Sequence, residues 1–255
     1  MSEVAAHPLP RRGRLWVLAL LLFGLFGLGY ALVGIATQKG GKPVVRIAGI
    51  NETQEIFGGV EQAGDRLGSA SAPVTIQVFN DLQCATCRKA FLTTIPGLVE
   101  PYVRSGQVKL LYRHYSVAEN PTEVGFYGAE AAAQQGDGWQ YTYLFFRNQE
   151  EAKRQGVTQG FLDSIANSVE EMNVPEWKSY LEKNRGPNGA IARKLAASEK
   201  LATDLEVRTP REIQAGEEGI QVEGQAMVVT GPRGSHTLLE GPTLSQIEAA
   251  IKSVQ

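Results

Sequence analysis

The chain has 255 residues, 43% of them hydrophobic, and a formal charge of −2. That content supports an ordinary packed core, as one large domain or two small ones. The near balance of acids and bases gives no basic surface for nucleic acid, and two cysteines leave no framework of structural disulfides.

Residues 1–14 place Arg11, Arg12 and Arg14 just ahead of Leu15–Ala36, a run of 22 residues without a charge. Such a run is long enough to cross a bilayer as a helix, so one N-terminal transmembrane helix is expected over 15–36 as an uncleaved signal-anchor. Gly34-Ile35-Ala36 offers the alternative, a small-x-small cleavage site. Lys39, Lys42 and Arg46 nearly balance the first basic cluster; the tighter Arg group assigns the N-terminus to the cytoplasm and the rest of the chain to the other side. Residues 37–55 read as a linker, with a β-like edge run at Val44-Val45-Arg46-Ile47.

A strand is expected over 73–79, with Val74, Ile76 and Val78 on one face. A helix follows from near Cys84, and Pro96 should kink or break it. Gly106 ends the helical stretch, and Gln107–Tyr112 reads as a second strand. From Pro121 to about Leu205 the pattern is helical, with Ile191, Leu195, Ala202 and Leu205 on one stripe. Ala226–Thr230 and His236–Glu240 flank Gly231-Pro232-Arg233-Gly234, a hairpin signal. Thr243 with Gln246 makes a capping box for a last helix carrying Leu244, Ile247 and Ile251.

The only two cysteines lie in Cys84-Ala85-Thr86-Cys87, between the first strand and its helix. A helix N-terminus offers free N–H groups and partial positive charge, which stabilise a thiolate at the first sulfur. The two-residue gap lets the second sulfur close a small, reducible disulfide. The order β, redox helix, β, helical block, β-hairpin, α is that of an α/β thioredoxin fold with helices inserted. With Ser71-Ala72-Pro73-Val74-Thr75, Leu67-Gly68 and Asn80-Asp81-Leu82-Gln83 ahead of the motif, the chain resembles the DsbA-like, membrane-anchored thiol–disulfide oxidoreductases of bacteria. The resemblance covers residues 56–255, read as a thioredoxin-like domain with a helical insertion at about 121–205.

The resemblance implies that Cys84 attacks and Cys87 resolves, and the helix-start position of Cys84 points the same way. It implies disulfide exchange with cysteine-containing exported proteins outside the cytoplasm, with a membrane redox partner and no cofactor. An oxidase is the expected direction, a reductase the alternative. Ala85 and Thr86 should tune the thiolate, and they depart from the Pro-first dipeptide usual in the family. Asp81 is a candidate proton-moving carboxylate, or a strand-end turn residue or helix cap. The loop that faces the disulfide, where the family has a cis-proline, is either Thr209-Pro210 or Gln225-Ala226; the second directly precedes the better strand. His114 reads as a packing histidine, Trp139, Tyr141, Tyr143, Phe145 and Phe146 as core of the insert, and Glu150-Glu151 and Glu217-Glu218 as solvated faces. Two rival functions stand beside this one: a carrier holding copper or zinc on its two thiolates, and a thioredoxin-fold binding module whose catalysis has decayed.

Overall fold

The computed structural model describes residues 46–115, 124–205, 207 and 224–255. The expected anchor at 15–36, the Thr209-Pro210 candidate and Glu217-Glu218 lie outside them. Among the described residues no helix is long and apolar enough to cross a membrane.

The packed body starts earlier than the linker expectation. Within the residues expected as linker, Ile50–Phe57 forms a helix, α1, in place of a tether. Tertiary contacts hold this short helix: Phe57 is fully buried and meets Tyr143 edge-on at 5.5 Å, and the Tyr143 hydroxyl donates to Glu52 at 2.7 Å. Residues 46–49 carry no strand. Two-residue strands follow, β1 (Gln62–Ala63) and β2 (Arg66–Leu67). Gly68 leaves β2 at φ +95, and a Cβ there would lie 2.7 Å from the Val103 side chain, so this left-handed, crowded position suits glycine.

The sheet is built around β3 (Val74–Asn80) and β4 (Val108–His114), which run parallel with Val74 beside Val108 and Asn80 beside His114. Strand β4 alternates buried and half-buried residues through its length, as a strand with one face on the core must. The C-terminal hairpin supplies β5 (Ala226–Gly231) and β6 (Gly234–Leu238), closed by Pro232-Arg233. The order is β1-β2-β4-β3-β5-β6, with β3 and β4 the parallel pair.

Helix α2 (Ala85–Leu98) joins β3 to β4 and buries Cys87, Phe91, Thr94, Ile95 and Leu98, one stripe at helical spacing. It runs through Pro96 and does not break there. The ladder changes beyond the proline, where Val99–Val103 forms a π-helical turn. Gly106 then closes the segment at φ +75. The insert contributes α3 (Val124–Ala133), α4 (Gly138–Arg147), α5 (Gln149–Gln155), α6 (Gln159–Ala166), α7 (Val174–Asn184) and α8 (Ala190–Asp204). Trp139, Tyr141, Tyr143, Phe145 and Phe146 of α4 are all buried, which is the packing role expected of them. Phe91 of α2 packs into this block, 4.8 Å from Phe146 and 6.0 Å from Trp139 between ring centroids. Helix α9 (Leu244–Val254) begins with the capping box read from Thr243 and Gln246, and buries Ile247 and Ile251.

Candidate functional site

Strand β3 ends at Asn80, and a tight turn delivers Cys84 to the start of α2. Asp81 makes that turn: its Oδ1 accepts from the Gln83 N–H at 2.8 Å and its carbonyl accepts from the Cys84 N–H at 3.1 Å. Asp81 is therefore the turn residue; the residue that caps α2 is Cys84 itself. Its backbone is extended, with φ −75 and ψ 123, and its Sγ accepts from the Cys87 N–H at 3.1 Å. A sulfur in the N-cap position meets an otherwise orphaned helix donor.

The two sulfurs have opposite environments. Cys84 retains 9% exposure and Cys87 none. The Cys84 thiol is lowered to about 7, chiefly by a hydrogen bond from the Cys87 thiol, against the opposing effect of burial, with Thr86 and the Cys87 N–H helping. Burial pushes the Cys87 thiol well up, and the neighbouring Cys84 pushes it further. The Asp81 charge raises both. One sulfur is thus available as a thiolate near neutrality, and its partner stays a protonated, inaccessible thiol.

Thr86 is the dipeptide residue that touches Cys84: its Oγ1 lies 3.0 Å from Cys84 Sγ. A thiolate has no proton to give, so Thr86 is the donor once Cys84 ionises. Thr86→Val keeps the shape and removes the donor. The midpoint of Cys84 alkylation against pH is expected to rise from about 7 by roughly one unit. The midpoint is the readout, because a thiolate of higher pKa is also more nucleophilic and the rate at a single pH partly compensates. An unmoved midpoint assigns the lowering to the Cys87 donors alone. Ala85 is exposed, with no polar group of its own.

The Gln225-Ala226 candidate lies beside the motif. Ala226 opens β5 opposite Phe79, near the end of β3, and both candidate residues are buried. A Cβ on Gly224 would lie 3.4 Å from Thr86 Oγ1, so this segment passes close over the turn that carries Cys84. Its carbonyls are engaged by the chain itself: the Tyr115 hydroxyl donates to Gly224, and the Gly241 N–H donates to Gln225 at 2.7 Å. All peptide bonds among the described residues are trans. Between this segment, the outer face of α2 and residues 240–244 lies a groove of about 670 Å³, with Thr86, Lys89, Thr93, Glu240 and Thr243 in its walls.

His114 sits apart in role. It is buried and stacked on Phe126 at 4.4 Å, as a packing histidine would be. Glu150 is exposed and pairs with Arg88 at 3.2 Å; Glu151, half-buried, pairs with Arg154. Among the described residues no three His, Cys, Asp or Glu side chains gather as a metal site.

Two contacts were not legible in the sequence. Tyr115 reads as the residue after a strand, yet its hydroxyl reaches Gly224 across 109 positions. Gln149, next to the acidic pair taken for solvent, is buried and donates to the carbonyls of Leu82 at 2.7 Å and Cys84 at 3.0 Å. Neither contact has a local signature, since both partners are main-chain oxygens supplied by distant segments.

Residues 61–207 match the family model described as thioredoxin. The chain is 27% identical over 118 residues to a probable disulfide bond formation protein D of Bacillus cereus, covering 45% of this chain and 55% of that protein. It is 23% identical over 119 residues to disulfide bond formation protein D of Bacillus subtilis, covering 46% and 54%. The chain thus spans about half the length of these relatives. Among solved structures, oxidised BdbD of Bacillus subtilis superposes with a TM-score of 0.58 at 16% identity, covering 76% of this chain and 95% of that one. The alpha-DsbA1 of Wolbachia pipientis superposes with a TM-score of 0.52 at 13% identity, covering 74% and 89%. At these identities the superpositions establish a shared fold.

Proposed function

The chain belongs to the thioredoxin family, and from that footing we propose that it is a thiol–disulfide oxidoreductase that donates a Cys84–Cys87 disulfide to cysteine-containing exported proteins. The observation that carries the exchange chemistry is the asymmetry of the pair: a sulfur of 9% exposure lowered to about 7 at a helix start, backed by a fully buried thiol beside it. In the donating direction a substrate thiolate attacks Cys84 Sγ. The Cys84–Cys87 bond breaks and Cys87 leaves, taking a proton. A second substrate thiolate then attacks the substrate sulfur of the mixed disulfide and expels Cys84 as a thiolate. Two electrons pass to the pair, and the substrate gains one disulfide. The groove beside Thr86 gives room for the substrate chain next to the reacting sulfur. The 22-residue uncharged run supports a single-pass anchor with the catalytic domain outside the cytoplasm, where a membrane redox partner restores the disulfide.

The Cys84 value favours a second reading, a reductase. A strong oxidant of this fold holds its thiolate near about 3.5, and a reducing thioredoxin near about 7. Stabilising the thiolate stabilises the reduced protein, which makes the pair more oxidising. With the thiol lowered from 9.0 to about 7, that gain is complete above pH 9 and fades as pH falls through 7. Near pH 7 the sulfur is only partly ionised and most of that gain is absent; it is reached only toward pH 9. Cys84 ionisation therefore supplies little oxidising power at neutral pH. The deciding experiment is the redox equilibrium of the full-length chain against a glutathione series, read by alkylation of both cysteines. A two-electron transition above about −180 mV supports donation, and one near about −270 mV supports reduction. No reversible transition overturns both.

A further inference from the structure

We propose that Gln149 is a positioning residue for the redox pair: delivered by the helical insert, its side-chain amide holds the Leu82 and Cys84 carbonyls and so fixes the Cys84 sulfur over the first N–H groups of α2. This inference rests on the oxidoreductase reading above.

Gln149 opens α5, more than sixty residues from the turn it contacts. Its side chain is 1% exposed. Both partners are carbonyl oxygens, at 2.7 and 3.0 Å, so the nitrogen of the amide must face them. The Cys84 carbonyl also accepts the Arg88 N–H at 3.0 Å, the first bond of α2. Both of its lone pairs are thus engaged, and the peptide that carries the attacking residue is clamped from two sides. Its orientation sets ψ at Cys84, and that torsion keeps the N-cap geometry in which Sγ receives the Cys87 N–H.

The clamp has a rigid base. Asn148, one residue earlier, donates to the carbonyls of Leu144 and Ala48 and accepts the Ala48 N–H at 2.9 Å. Arg88 ties α2 to the preceding helix α4, its Nε donating to the Phe146 carbonyl at 2.9 Å. A first contact held by a second layer of bonds is what keeps a reacting atom in one geometry. Packing alone does not account for the residue. Gln149 Oε1 is buried with no hydrogen-bond partner among the described residues, which is unfavourable and which an apolar side chain of equal volume avoids.

The test uses the reduced full-length chain and follows Cys84 alkylation against pH, with thermal unfolding of the oxidised form alongside. Gln149→Met keeps the volume and removes the donors; Gln149→Asn shortens the arm and serves if the methionine variant does not fold. Ile95→Val is the control, loosening α2 packing without touching the turn. The expected result is a midpoint raised by about half to one unit in the Gln149 variants, unchanged in Ile95→Val, with the oxidised form melting within a few degrees of the parent. An unmoved midpoint in the Gln149 variants overturns the inference and leaves Gln149 a brace of the fold, as does an equal shift in the control. A parent chain with no thiol titrating near 7 removes the function reading itself, and the inference with it.

Discussion

Cys84→Ser is expected to lose disulfide exchange by a factor on the order of 10⁴ or more, the scale seen when a covalent nucleophile is removed. Cys87→Ser is expected to fail differently. Cys84 remains part-exposed at the start of α2, so it still attacks a substrate disulfide. The buried thiol that would release the product is gone, and a mixed disulfide accumulates on Cys84. The assay is a non-reducing gel with mass spectrometry of the adduct, after incubation with a protein carrying one reactive disulfide. The adduct should vanish on adding a small reductant and should be absent from the double variant. The hydroxyl introduced there can still donate to Cys84 in place of the Cys87 thiol, whose bond is the largest cause of the lowered Cys84 pKa, so trapping is expected to keep its rise through about pH 7. Exchange by Cys84→Ser at the parent rate would sink the assignment of roles. Exchange by neither parent nor variants would favour the binding module.

The parts of this fold that announced themselves did so through local physics. The alternation in Val74, Ile76 and Val78 marks β3, because one face of a central strand must be apolar. The reciprocal bonds of Thr243 and Gln246 mark the start of α9 within four residues. The parts that stayed hidden depend on distant partners. Helix α1 enters from Gly49 with no side-chain cap, and an isolated helix of eight residues is not stable in water. What holds it is Phe57, and Glu52 beneath the Tyr143 hydroxyl, from a helix some ninety residues away. Strands β1 and β2 are too short to alternate, and exist by pairing with each other and with β4. At the site the same division holds. Cys84, Cys87 and the Thr86 hydroxyl were legible because C-x-x-C at a helix start carries its own geometry. The Gln149 donors and the Tyr115–Gly224 bond were not, because a glutamine amid Asn, Glu and Lys looks like surface until the fold turns it inward.

Phe91→Ala is expected to destabilise the domain by about 3–5 kcal/mol, the range for emptying a buried aromatic site. In a domain of this size that is a fall of roughly 6–20 °C in the unfolding midpoint. Phe91 is the point where α2 joins the insert: it is fully buried and packs on Tyr112, Trp139, Tyr143 and Phe146, with centroids 4.8 to 6.5 Å away. The insert cannot follow its lost edge, because Trp139 is fixed by its indole bond to the Asp65 carbonyl and Tyr143 by Glu52. A cavity therefore remains, and collapse offsets little of the loss. The more informative quantity is the reduction potential. A substitution changes it only by the difference between its effects on the oxidised and reduced forms. None of the aromatic partners of Phe91 is a sulfur, so both forms should lose nearly the same stability. Melting both forms in parallel should give equal falls, and the potential should stay within about 15 mV, or ~0.7 kcal/mol, of the parent. Thr86→Val should do the reverse, leaving the oxidised form almost untouched while the reduced form loses thiolate stabilisation, and Gln149→Met should cost the reduced form more than the oxidised one. If Phe91→Ala instead moves the potential by several tens of millivolts, the aromatic cluster senses the state of Cys87 one turn away. The division between a scaffold that holds the pair and a few polar contacts that tune it would then be wrong.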